Sequence, residues 1–176
     1  KEVSQAARAI SDELNRSIAA AEVFDLETNY IVTTAGGRLC TGSFSYLWNY
    51  QKAVNDNDDD VVKYEGSLAP IRLVKVSDLG AIYCAKNVDE SLFKKDIRLQ
   101  DVSKTVELLS LGDHTLAIHQ FSVSSSDSAT DTATGQQLYE ISFTIGTSDL
   151  AALNSDMTGC KGPNEDGSDL AYCSVQ

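Results

Sequence analysis

Apolar residues in the first two dozen positions, KEVSQAARAISDELNRSIAAAEVF, recur with a helical period. At about 100° per residue from Val3, the residues Ala6, Ala7, Ile10, Leu14, Ile18, Ala21 and Phe24 fall within an arc of roughly 120°. Lys1, Glu2, Arg8, Asp12, Glu13, Arg16 and Glu22 all lie outside it. Asp12 stands four residues before Arg16, a supportive pair on a helix face. The spacing predicts one continuous helix over residues 2–22, with Ala7, Ile10, Leu14 and Ile18 packed against a sheet. The pattern is already running at Lys1, with no Ser, Thr, Asp or Asn cap before it. We read this as a cut or processed chain.

Beyond the helix the period shortens toward two. TNYIVTT and GRLC read as short strands around a Gly36–Gly37 turn. GSFSYLWNYQ is the clearest strand, with Phe44, Tyr46, Trp48 and Tyr50 alternating with Ser43, Ser45, Leu47 and Asn49. NDNDDD, residues 55–60, is a solvated loop. VVKYEG, APIRLVKV and AIYCAK carry further strand signals, with turns near Gly66 and Gly80 and an edge or strand start at Pro70. SLFKK and DVSKTVELLSLG have helical spacing at Val102, Val106 and Leu109, stopped by Gly112. TLAIHQFSVS reads as a strand with Leu116, Ile118 and Gln120 on one side and Ala117, His119 and Phe121 on the other. SSSDSATDTATG is a polar hairpin loop, QLYEISFTIGTS a returning strand, and the remaining tail is loop-rich. No repeat or linker divides the chain. The expectation is one α+β domain over residues 1–176, with the helix in 1–24 and a sheet-rich head in 25–176.

Composition narrows the function classes. The 176 residues are 42% hydrophobic, enough for one sizeable core, and carry a formal charge of −12. An acidic surface repels phosphate backbones and anionic lipid, so neither nucleic acid nor a membrane surface is an expected partner. No apolar run approaches the ~20 residues of a membrane span. The four cysteines form no CxxC or CxxxC pair, and His114 and His119 stand far from all of them, so zinc is not expected. An even cysteine count in an acidic chain suits an oxidising, extracytoplasmic compartment. Four cysteines allow three connectivities, and sequence alone does not choose among them. Locality favours Cys160–Cys173, which would leave Cys40–Cys84.

The remaining motifs give little chemistry. Asp56, Asp58 and Asp60 match the first three ligand positions of a calcium loop. Val61 stands where an EF-hand needs glycine, and Ser67 where it needs a bidentate glutamate, so an EF-hand is excluded. The segment reads as a solvated acidic turn, with a looser calcium loop as the lesser reading; NEDGSD at 164–169 is treated alike. His114 and His119 are five apart on a strand and face opposite sides. No nucleophile elbow, phosphate loop or dinucleotide fingerprint occurs, and no cofactor or catalytic activity is expected. Asn15–Arg16–Ser17 is a glycosylation sequon by chance, since it lies on the helix.

The opening helix, the antiparallel strand pattern after it and the closing cysteine loop together resemble a type IV pilin or pilin-like protein. GRLCTGSFSYLWNY and AYCSVQ are similar to segments of minor-pilin-type prepilins. The resemblance covers the layout of most of the chain. It implies a long N-terminal helix whose apolar first half anchors in the membrane and then packs in a filament core, while its second half lies on the sheet of the head. The basic leader, processing site and apolar half-helix that mark the family are not among these residues. The resemblance implies a structural or adhesive subunit, major, minor or secretion pseudopilin, of a cell-surface filament. Its partners would be other pilin subunits through the preceding helical segment, and a surface or host-cell receptor. It also implies that the 176 residues alone are monomeric. The competing expectation is a secreted carbohydrate- or calcium-dependent binding module with a helical lead-in.

Overall fold

The computed structural model of the chain describes residues 2–21, 25–56, 61–63, 70–84, 105–109, 116–125, 139–147 and 173–175. Helix α1 runs Glu2–Ala20. Ala6, Ala7, Ile10 and Leu14 are buried and Ile18 packs half-buried against the same core, as the spacing predicts. Arg8, Asp12, Asn15, Arg16 and Ala19 face outward. Ala21 leaves the helix with its N–H on the Ile18 carbonyl at 3.2 Å. Residues 22–24 lie outside the described residues.

A short helix, α2 (Leu26–Asn29), follows where TNYIVTT was expected to begin a strand. Asp25 caps it by accepting from the Glu27 N–H at 3.1 Å. Strands β1 (Tyr30–Val32), β2 (Gly36–Cys40), β3 (Phe44–Asn49), β4 (Leu73–Ser77) and β5 (Thr105–Glu107) then form an antiparallel five-stranded sheet in that order. Gly36 and Gly37 are not a turn. They lie inside β2, opposite Asn49 and Trp48. A Cβ on Gly36 would come 1.9 Å from the Trp48 carbonyl, and one on Gly37 would come 2.5 Å from the indole, so both glycines permit close approach. The bend falls instead at residues 33–35, where Thr33 Oγ1 accepts from the Ala35 and Gly36 N–H groups.

Three further expectations are corrected. Helix α3 (Gln51–Asn55) occupies residues read as strand end and loop. The AIYC strand is a 3₁₀ turn, Ile82–Cys84, because the Asp78 carboxylate takes the N–H groups of Ile82 and Tyr83 and withdraws them from any ladder. Thr105–Glu107 is strand rather than helix. It completes the open edge of β4, with Val74 opposite Glu107 and Val76 opposite Thr105, and the Glu107 carboxylate accepts from the Arg72 and Leu73 N–H groups. Pairing has overridden a helical spacing. Of VVKYEG, the described part makes an isolated bridge, Lys63 to Pro70. Buried Asn49 anchors that segment through the Val62 N–H and the carbonyls of Val62 and Ile71.

A second antiparallel sheet holds β6 (Leu116–Ser125), β7 (Tyr139–Thr147) and β8 (Cys173–Val175) in that order. Ile118 pairs with Ile145 and Gln120 with Thr144, so His119 is the extra residue of a β-bulge. The bulge resets the alternation: Leu116, Ile118, Phe121 and Val123 share the core, while Gln120 is exposed. Phe121 is therefore on the face of Leu116, not opposite it. Ser125, read as loop, belongs to β6, and β8 lies within the tail read as loop. The rest of the polar hairpin and tail lies outside the described residues.

The main core is shared by α1, the first sheet through Leu39, Tyr46, Trp48 and Leu73, and the second through Ile118, Phe121, Phe143 and Ile145. Trp48 stacks on Phe121 at 4.1 Å between ring centroids. The opposite face of the first sheet is covered too, around Leu47, Ile71, Val74 and Val76. Strand β3 is thus buried on both faces apart from Phe44, which accounts for its unbroken apolar and small-residue texture.

Candidate functional site

Glu13 stands beside Leu14, at the rim of the helix's apolar stripe. Tyr46 and Lys75 are cross-strand partners on β3 and β4, so both side chains reach the same face of the sheet. The three meet where the helix crosses the sheet. Glu13 Oε1 accepts from Tyr46 Oη at 2.8 Å and from Lys75 Nζ. Glu13 Oε2 accepts from Arg16 Nη2 at 3.1 Å. Ser17 Oγ lies 2.5 Å from Tyr46 Oη and, with the tyrosine proton committed to Glu13, is the donor there. Lys75 Nζ also sits 4.1 Å from the Phe44 ring centroid, within cation–π range.

The Lys75 hydrogen bond holds the Glu13 carboxyl below its ordinary pKa, against the opposing effect of burial. Burial, reinforced by Glu13, pushes the Tyr46 hydroxyl well above its ordinary value. At neutral pH Tyr46 is therefore a fixed donor and Glu13 a fixed acceptor. Beside them opens a cleft of about 270 Å³, lined by Glu13, Arg16, Ser17, Ala20, Thr41, Ser43, Phe44 and Lys75. The arrangement can clamp a helix to a sheet and offers hydrogen-bond donors at its mouth.

A second built feature lies at the adjoining end of the sheet. Cys40, the last residue of β2, is disulfide-bonded to Cys84 across 44 positions, with Cα atoms 6.2 Å apart. Arg38 Nη1 donates to the Tyr83 carbonyl at 2.8 Å. Buried Asp78 accepts from Ser45 Oγ at 2.6 Å as well as from the Ile82 and Tyr83 N–H groups. Backbone bonds from Asp78 to Ser43 and from Gly80 to Gly42 join this corner to the β2–β3 turn. The corner itself holds Ala81 at φ 55°, a left-handed conformation unusual for a residue with a Cβ. The corner is fixed from several directions, and Leu79 projects from it 85% exposed.

The residues singled out from sequence fare unevenly. Cys40–Cys84 is bonded, and Ala7, Ile10, Leu14 and Ile18 pack as expected. The expected Cys160–Cys173 pairing cannot be placed among the described residues, since Cys160 lies outside them. Asp56 is exposed, pairs with Lys52 Nζ at 2.5 Å, and is held below its ordinary pKa by that bond. Asp58, Asp60 and His114 lie outside the described residues. Among the described residues no three His, Cys, Asp or Glu side chains come together as metal ligands. His119 is buried in the β6 bulge. Sequence reasoning missed the Glu13–Tyr46–Lys75 junction. A lysine inside the apolar run IRLVKV and a glutamate at the stripe's rim carry opposite charges, which was the available signal.

No protein-family model, curated protein or solved structure matches this chain.

Proposed function

We propose that this chain is the head domain of a structural or adhesive subunit in an extracellular filament of the type IV pilus class. The observation that carries the reading is the seating of α1: its apolar stripe of Ala6, Ala7, Ile10 and Leu14 lies in the core against an antiparallel sheet, and its free face is polar. The Glu13–Lys75 tie and the Tyr46 bonds hold the helix to the sheet, so force along the helix reaches the head. The Cys40–Cys84 disulfide supports an oxidising, extracytoplasmic setting. The three-stranded second sheet is a departure from the single helix-on-sheet layout that the resemblance implies. In this reading an apolar helical segment ahead of residue 1 anchors the subunit in the membrane and then joins other subunits in the filament.

The test is fractionation of the source cells after mechanical shearing, with an antibody to this domain. The chain is expected in the sheared filament fraction, behind a precursor leader followed by about 20 apolar residues. Recovery as a free protein in the medium, released by a signal peptidase ahead of residue 1, would replace the filament reading with a secreted binding module.

A further inference from the structure

The residues lining the cleft at the helix–sheet junction carry a formal charge opposite in sign to that of the whole molecule. The chain carries −12 overall. Of the residues lining this cleft, two are cations, Arg16 and Lys75, and they share a single carboxylate, Glu13. Counted over the lining residues alone, this leaves a formal charge of +1 at the mouth; the Asp12 carboxylate, one turn back from Arg16, is not among them. The Arg16 side chain is 76% exposed and spends Nη2 on Glu13 and Nε on the Asp12 carbonyl, which leaves Nη1 directed to neither. A guanidinium edge of this kind suits a planar carboxylate. A phosphate dianion would overcompensate a single net charge.

The rest of the lining specifies more than an anion. Glu13 can accept from hydroxyl groups, and the Ser43 hydroxyl is exposed at the rim. Thr41 and Ser17 are already bound, to the Phe44 carbonyl and to Tyr46, so they shape the wall without competing for a ligand. Phe44 is 37% exposed, the least buried residue of β3, and supplies an apolar wall. The volume of about 270 Å³ falls just under the range for drug-sized ligands and suits one sugar-sized ring. The sides are rigid: α1 is held by its core stripe, and the β2–β3 turn by the Asp78 and disulfide corner.

We infer that this cleft binds an acidic monosaccharide unit, a hexuronate or similar sugar acid, with its carboxylate on Arg16 and Lys75, its hydroxyls on Glu13 and Ser43, and a ring face against Phe44. The site does not depend on the filament reading, because the cleft belongs wholly to this chain.

The experiment is a titration of the isotopically labelled 176-residue chain with glucuronate, followed by amide shifts in NMR, with glucose, acetate and inorganic phosphate as comparators. Glucuronate is expected to give saturable shifts centred on residues 13–20, 41–44 and 75, with a dissociation constant of about 1 mM, the range for a ligand of this size. Glucose and acetate, each offering half of the recognition, bind about tenfold or more weakly. Arg16→Gln and Lys75→Gln each weaken glucuronate about tenfold while keeping the dispersed spectrum of the parent, and Lys52→Gln, remote from the cleft, changes nothing. Acetate or phosphate binding as tightly as glucuronate would reduce the cleft to a simple anion site and overturn the inference. So would equal affinity for glucose, shifts unaffected by Arg16→Gln, or no saturable shift in the cleft.

Discussion

Gly36 has no room for a methyl group. Its Cβ would stand 1.9 Å from a backbone oxygen of β3, and backbone cannot rotate away as a side chain can. Gly36→Ala is expected to cost at least about 3 kcal/mol, because β2 and β3 must part to accept it. Gly42→Ala is the contrast: nothing lies within 4 Å of its Cβ, but its φ is 95°, so strain alone costs about 1 kcal/mol. Chemical denaturation of both variants checks the order. The sequence reading placed a turn at Gly36–Gly37 because glycine serves turns and close approaches equally, and only the Trp48 partner distinguishes them. Glu13 gives a second prediction at this scale. Its folded pKa is depressed, so its contribution to stability is present above the ordinary value of 4.5 and is lost as pH falls through the lowered one. Glu13→Gln should lower stability at pH 7 by about 1–2 kcal/mol, since the pair is partly exposed. Between about pH 5 and pH 3 the parent should lose more stability than this variant. Urea unfolding across that range reads both effects.

Among the elements, α1 was the most legible, because a period of 3.6 sustained over five turns leaves one face to bury. Leu14→Asp should cost several kcal/mol by placing an unpaired charge in the core, whereas Asp12→Ala on the exposed face should change stability by less than about 0.5 kcal/mol. Thermal unfolding of the two variants separates a docked helix from a free one. Strands β3, β6 and β7 were legible by their aromatic and branched texture. Strand β5 was not, since Val106 and Leu109 fit a helix until the edge of β4 is known to need a partner. Nor was the face of Phe121, because a bulge at His119 adds a residue without any compositional mark. The 3₁₀ turn was hidden for a similar reason: Asp78 diverts the N–H groups of a strand-like segment. The disulfide that closes this turn spans 44 positions, and removing it as Cys40→Ala with Cys84→Ala should cost about 4 kcal/mol in the chain-entropy description.

At the scale of the molecule, the α+β mixture was legible from the order of periods, but the division into two sheets was not. The join between them is made by side chains far apart in sequence, Trp48 on Phe121 above all, and by the bridge from Tyr50 to Ile118. The helix–sheet junction escaped for the same reason, since Glu13 and Lys75 are 62 positions apart. A charge of −12 sets copies against one another, so the 176-residue chain is expected to be monomeric at micromolar concentration by light scattering. The central claim, that this head is displayed on a surface filament, is tested most directly by labelling Leu79→Cys in the full-length protein. Leu79 is 85% exposed on the disulfide-fixed corner. Intact cells treated with a membrane-impermeant maleimide–gold reagent should show gold repeated along surface filaments in the electron microscope. Filaments free of gold, with the reactive chain recovered only from the medium, would contradict the account.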